Sequence, residues 1–203
     1  TDPWLSCWRG ATLVPFDPPA AETWFENAYR LFREGQIGDG AFLAWTAIVD
    51  LTCLEWADFS KLDRWLDEAD SLHREFGEPP ANLAGRFAAS MFGALLFRRP
   101  EDPAIHLWAD RLLALVEICP EAGDRVLLGC NLLLHYTVGV GQNARIDRLM
   151  MAIDPPAGVA LGPFAAALLW ALRSMQHWSR GQMRQAAAAA ESGSRLAREN
   201  GLR

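Results

Sequence analysis

The sequence predicts an all-α fold of stacked helical hairpins, and three features carry that prediction. Ala and Leu together number 60 of the 203 residues, against 19 for Val, Ile and Thr. The first pair favours helix; the second group favours strand. Helix-opening signals recur near residues 18, 59, 103, 143 and 182, spaced by 41, 44, 40 and 39 residues, and such a period marks an array of supersecondary units. Apolar residues after these signals fall at steps of three and four, the mark of a helix with one buried stripe.

Each hairpin is predicted as a uniformly apolar helix followed by an amphipathic one. The first runs over Trp4–Leu13; Asp17 before Pro18 and Pro19 then supplies an N-cap and a pre-set first turn. Trp24, Ala28, Leu31 and Phe32 share the buried face of its second helix. The second hairpin takes Phe42–Trp56, then Asp58, Phe59 and Ser60 open a helix burying Leu62, Trp65, Leu66, Ala69 and Leu72. Ser60 and Asp63 there resemble a capping box with Asp in place of Glu. The third takes Leu83–Phe97, then Asp102 and Pro103 lead into a face of Ile105, Trp108, Leu112, Leu115 and Cys119. The fourth takes Arg125–Val138, a turn at Gly141, Gln142 and Asn143, and a face of Ile146, Leu149, Met150 and Ile153. The fifth takes Phe164–Trp178, then Gly181 and Gln182 open a helix with a small face of Ala186, Ala187, Ala190 and Ala197. Trp24, Trp65 and Trp108 occupy matching places in the first three units, and Gly35, Gly77 and Gly201 stand where helix C-caps belong. In such a stack the apolar helices line a concave surface.

Bulk composition excludes several classes. A hydrophobic share of 51% with 22% charged residues suits a packed core. The net charge of -6 disfavours non-specific nucleic-acid binding, which needs a basic stripe. The best basic cluster, Arg173, Arg180, Arg184, Arg195, Arg198 and Arg203, is interleaved with Ala and reads as a solvated face. Cys7, Cys53, Cys119 and Cys130 form no Cys-x-x-Cys pair and are expected as reduced core thiols, which suits a cytoplasmic protein. The longest uncharged run, residues 155–172, is broken by Pro155, Pro156, Gly158 and Pro163; it predicts a buried helix starting near Pro163 rather than a membrane span. No signal peptide is expected at the N-terminus. The chain opens without Met and stops just after a helix at Asn200 and Gly201, as expected of a piece of a longer multidomain protein. A single helical-repeat domain over residues 1–203 is predicted.

No catalytic constellation is visible, so no enzyme activity, cofactor or metal is expected. His73, His106, His135 and His177 lack metal-ligand spacing. Gly139, Gly141 and Asn143 could suggest a phosphate loop, but no strand precedes them, and a helix–helix turn is expected. Glu22, Glu26, Asp50 and Glu55 have no nucleophile or metal beside them, and Ser6, Ser90 and Ser174 sit in no nucleophile elbow. More informative are the polar residues inside apolar helices: Asp50, Arg86, Asn131 and Arg173, with His135 one turn beyond Asn131. A polar group among buried apolar ones must be hydrogen-bonded or face water. These residues either line the inner surface and contact a ligand or peptide, or form inter-helix salt bridges, for example Asp50 with Arg86. For His135 the alternatives are a hydrogen-bonded structural histidine and a ligand contact.

The last unit resembles a tetratricopeptide repeat: Trp178 and Gly181 before the turn, then Ala186, Ala187, Ala190, Gly193 and Ala197. Gly40, Ala44, Trp45 and Trp56–Phe59 repeat that layout in degraded form. The longer pattern of Asp2–Leu5, Trp8–Gly10, Pro15–Pro18, Phe25–Tyr29, Leu31–Arg33, Gly38–Asp39, Glu55–Phe59 and Leu62–Trp65 resembles the helical-repeat arm of large bacterial ATP-dependent transcriptional regulators of the MalT/LuxR type. The resemblance implies a right-handed superhelix that senses an inducer or partner and governs self-association. It covers the arm only. The chain has neither a Gly-x-x-x-x-Gly-Lys-Ser/Thr loop nor a basic recognition helix. The expected partners are flanking domains of the same chain, a second copy, or a small-molecule or peptide inducer. A plain scaffold or oligomerisation module without a small ligand is the alternative.

Overall fold

The computed structural model describes residues 2–138 and 143–202. It contains ten α-helices among the described residues, and they fall where the hairpin pattern places them. The chain divides into two compact units, Thr1–Trp108 and Ala109–Arg203, with the division inside the sixth helix.

The N-terminal unit holds α1 (Pro3–Leu13), α2 (Pro18–Glu34), α3 (Gly38–Glu55), a short 3-10 turn (Phe59–Lys61), α4 (Leu62–Phe76), α5 (Ala81–Arg98) and the start of α6 (Ala104–Ile118). Aspartates cap these helices, at Asp17 and Asp102 as the sequence predicts and also at Asp2. Asp2 accepts from the Trp4 amide at 2.8 Å, Asp17 from Ala20 at 3.1 Å and Asp102 from Ala104 at 2.9 Å. Each such cap is worth about 1 kcal/mol. The capping box is not formed. Asp58 accepts from the Ser60 amide at 2.9 Å and opens the 3-10 turn instead. Asp63 faces away to Arg98 and Arg99, because two guanidiniums offer its carboxylate more than one amide does.

Helix α3 packs against α2 and α4 and, directly, against α1 and α5. It is apolar on most sides and buries eleven of its eighteen residues. The core is aromatic: Phe32, Phe42, Trp45, Trp65, Phe87 and Phe92 are almost fully enclosed. The Trp45 indole N–H donates to the Trp65 carbonyl at 2.8 Å, so this polar handle is satisfied inside the core. Gly40 permits the crossing of α2 and α3, since a Cβ there would lie 2.2 Å from the Phe32 ring.

The α2 face differs from expectation by a rotation. Phe25 and Tyr29 are buried with Ala21, Ala28 and Phe32, while Trp24 and Leu31 are only half-buried. Phe25 sits against Gly10 of α1, where a Cβ would fall 2.7 Å from the ring, and the Arg9 guanidinium holds the outward Trp24 ring at 4.9 Å. The α4 face of Leu62, Trp65, Leu66, Ala69 and Leu72 is buried as predicted. In α6 the buried positions are Ile105, Ala109, Leu112, Leu113 and Val116; Trp108, Leu115 and Cys119 are half-buried. The bulky Trp108 rests edge-on against Phe87, and small Ala109 takes the inner position. Gly35 and Gly77 are the C-caps of α2 and α4 as predicted, and Gly201 follows the Asn200 cap of α10; the left-handed residue after α2 is Gln36 (φ 54°).

The α2 and α4 backbones do not touch; the Tyr29 ring meets Trp65 edge-on at 5.2 Å, and charged side chains bridge the helices around it. Glu22 pairs with Lys61 at 2.7 Å and Glu26 with Arg64 at 3.0 Å. Arg33 reaches Glu68 at 2.7 Å and Glu75 at 2.6 Å, and the Tyr29 hydroxyl donates to Glu68 at 2.8 Å.

The C-terminal unit holds the rest of α6, α7 (Ala122–Val138), α8 (Asn143–Ile153), α9 (Pro163–Ser179) and α10 (Met183–Glu199). The α8 face of Ile146, Leu149, Met150 and Ile153 is buried as predicted, and α9 begins at the expected Pro163. Helix α10 buries Ala186, Ala189 and Gly193, whereas Ala187 and Ala190 are exposed and Ala197 is half-buried. Gly193 fixes that phase: a Cβ there would lie 3.0 Å from Trp170 Cβ and 3.2 Å from the Ala167 carbonyl oxygen. Among the described residues no helix is long and apolar enough to cross a membrane.

Candidate functional site

The structure brings Asp50 and Arg86 together in the N-terminal unit. Asp50 lies in the last third of α3 and Arg86 in the first third of α5, and those helices pack directly. Arg86 Nε donates to Asp50 Oδ2 at 3.0 Å, and Ser90, one turn along α5, donates its hydroxyl to Asp50 Oδ1 at 2.6 Å. Ser90 is buried, whereas 34% of the Asp50 side chain and 48% of the Arg86 side chain stay exposed. The pair therefore sits at a surface, anchored from below by Ser90.

Burial pushes the Asp50 carboxyl above its ordinary range, opposed by the Arg86 guanidinium and the Ser90 hydroxyl. Burial together with Asp50 pushes the Cys53 thiol up to about 12. Burial also raises the Cys7 thiol, against the pull of Arg86. Both thiols are therefore protonated and poor nucleophiles at neutral pH. Arg86 uses only Nε on Asp50; among the described residues its two Nη groups make no hydrogen bond. The cluster is thus an oriented guanidinium, suited to holding a carboxylate or phosphate.

The other predicted residues lie in the C-terminal unit, on α7 and α9. Asn131 and His135 are one turn apart on α7 and half-buried; the His135 ring stands 5.6 Å from Tyr136. Arg173, on α9, pairs with Asp154 and lies 5.0 Å over the Trp170 ring. It lines an open groove of about 510 Å³ between α8 and α9, with Asp147, Asp154, Gln176, His177 and Arg180. Arg180 pairs there with Asp147. A comparable groove of about 500 Å³ lies over α2 and α4, lined by Glu26, Tyr29, Arg30, Arg33 and Arg64.

Sequence reasoning did not single out the aspartates opposite Arg173 and Arg180. A signal was present: Asp147 and Asp154 are seven residues apart, as are Arg173 and Arg180, and seven residues are two turns on one helical face. Ser90 was likewise legible as the i+4 neighbour of Arg86. The glycine turn at residues 139–142 lies outside the described residues. Among the described residues no three His, Cys, Asp or Glu side chains converge to hold a metal ion. No family model, curated protein or solved structure matches the chain.

Proposed function

We propose that this chain is a non-catalytic regulatory and protein-interaction arm, the helical-repeat part of a bacterial cytoplasmic transcriptional or signalling regulator of the MalT/LuxR kind that its sequence resembles. In this reading the hairpins continue into a right-handed superhelix with a concave binding groove. The observation that carries it is the partly exposed Asp50–Arg86 pair on α3 and α5, anchored by the buried Ser90. These two helices pack directly, so a ligand held by Arg86 acts on their contact. It favours one spacing of the hairpins over another by its difference in affinity for the two. The ligand is an inducer carrying a carboxylate or phosphate, or an acidic peptide. The same chemistry suits a flanking domain of the same chain that presents an acidic segment.

The test is a thermal-shift screen of the purified chain against organic acids, nucleotides and short acidic peptides. A saturable rise in Tm that disappears in a folded Arg86→Ala variant supports the reading, because a ligand of the native state stabilises it by mass action. A rise that survives Arg86→Ala moves the site elsewhere. No rise with any probe turns the reading towards a plain scaffold.

A further inference from the structure

We propose that the Arg86 site extends along the seam between α3 and α5 to Trp56 and takes an extended peptide. An acidic residue of that peptide binds Arg86, and an apolar residue beside a basic one, about five positions away, binds at Trp56. The assignment rests on Arg86 as the anion-holding group and narrows its partner to one class. Arg86 and Phe97 are eleven residues apart on α5. That is close to three full turns, so both stand on the stripe facing α3, with about 16 Å between their Cα atoms. On α3, Leu54 lies one turn past Asp50, and Trp56 caps the helix. Asp50 meets Arg86 and Ser90 at one end of the seam; Trp56 meets Phe97 at the other, with ring centroids 5.2 Å apart. Both ends face solvent: the Arg86 side chain is half exposed, Leu54 is exposed by 70% and Trp56 by 66%.

Trp56 holds its place against a backbone preference. It is left-handed (φ 49°), a conformation that bulky residues rarely adopt and glycine adopts freely. Phe59 and Phe97, stacked 4.9 Å apart, both stand edge-on to its ring. Strain of this kind persists where the surroundings impose it, and here it sets a large ring at the surface.

Charge distinguishes the two ends and selects the occupant. The Nη groups of Arg86 take a carboxylate. At the Trp56 end α3 and α5 both terminate, at Glu55 and Arg98, which brings the negative ends of two helix dipoles together. Glu55 and Asp58 add exposed carboxylates there. Lys61 and Arg98, the cations within their reach, are already bound to Glu22 and Asp63. This end therefore repels an acid and favours a Lys or Arg side chain, which can lie on the open Trp56 ring. Leu54 and Trp56 cover an apolar neighbour of that base. A small organic acid fills only the Arg86 end; spanning about 16 Å takes about five extended residues at ~3.3 Å each.

Selection of a random linear peptide library on the full chain tests this, with the affinity of each enriched peptide read by fluorescence anisotropy. Enriched sequences are expected to carry Asp or Glu and, about five positions away, a Leu or aromatic residue beside Lys or Arg. Arg86→Ala and Trp56→Gly each weaken their binding by at least about tenfold, as loss of an anchor does. Glu55→Lys weakens it through the basic residue. Trp56→Gly relaxes the left-handed backbone, and Glu55 is exposed, so these two variants keep the fold. Arg64→Ala, in the groove over α2 and α4, leaves the affinity unchanged. Peptides that need Arg86 yet bind equally well to Trp56→Gly and Glu55→Lys overturn the extension and leave the Arg86 site standing. An organic acid that binds through Arg86 when the library yields no peptide does the same. Peptides indifferent to Arg86→Ala, or no binding by acid or peptide, overturn both.

Discussion

The two units bury their helices by different means. The N-terminal unit fills its interior with large rings, Phe32, Phe42, Trp45, Trp65, Phe87 and Phe92; Phe42 stands edge-on to Phe87, Trp45 is tilted against Phe87, and an indole hydrogen bond ties Trp45 to α4. The C-terminal unit closes by approach: small Ala186, Ala189 and Gly193 let α10 lie on α9, and aliphatic Leu132, Leu133, Leu149 and Ile153 fill the remainder. One hairpin pattern thus has two packing solutions. The first is vulnerable to loss of volume, the second to gain of it.

Truncating the first core is the harshest test of that contrast. Trp45→Ala is expected to destabilise the N-terminal unit by about 3–5 kcal/mol, since it opens a large cavity and strips the Trp65 carbonyl of its donor. Urea unfolding followed by circular dichroism measures it; a loss below about 1 kcal/mol would show that the rings are loosely held. Next comes the opposite change in the other unit. Gly193→Val adds atoms where a single Cβ already meets Trp170 and Ala167, and about 1–3 kcal/mol should be lost despite the gain in helix propensity over Gly. Amide exchange localised to α9 and α10 reads that outcome, and unchanged protection would refute close approach as the packing principle there.

The smallest effect concerns charge. Arg98 and Arg99 hold Asp63 below its ordinary value of 3.8, while Gln36 and Arg33 overcome burial to hold Glu75 below 4.5; in the C-terminal unit Arg148 holds Glu117 below 4.5. A carboxylate depressed in the folded state gives stability that is complete above its unfolded value and lost as pH falls through its folded one. Asp50 works in the opposite sense: its raised value gives stability that is complete below 3.8 and fades as pH rises through the folded value. Tm should therefore fall on acidification below about pH 4, modestly because these pairs are largely exposed, and less steeply in high salt. Asp63→Asn with Glu75→Gln should flatten the acid limb of the N-terminal unit; an unaltered limb would remove these pairs from the account.

Helix type and position were legible because periodicity and aspartate caps act locally: Asp2, Asp17 and Asp102 cap the helices they precede. The faces of α4 and α8 were legible because each has one apolar stripe. Phase failed where two stripes compete. In α2, Trp24 and Phe25 are equally apolar in sequence, and the choice between them is made by Gly10 on another helix. In α10 every candidate is Ala, and Gly193 against Trp170 decides. The ion pair of Asp50 with Arg86 was one of two alternatives and is present, and Arg173 pairs with Asp154, a residue the sequence did not single out. Side-chain pairing across helices depends on phase and axial offset, and a single sequence encodes neither directly.

The bridges between α2 and α4 give the N-terminal unit an uneven compliance. Along α1, α3 and α5 close packing resists any change of separation, as a spine does. Between α2 and α4 one buried ring contact, Tyr29 edge-on to Trp65 at 5.2 Å, fixes the separation, and around it the links are Lys, Arg and Glu side chains with several rotatable bonds each. The N-terminal unit is therefore pinned on this side at a single ring pair, with its charged links to either side of that pin. Salt screens the exposed charged links but leaves the buried ring pair untouched.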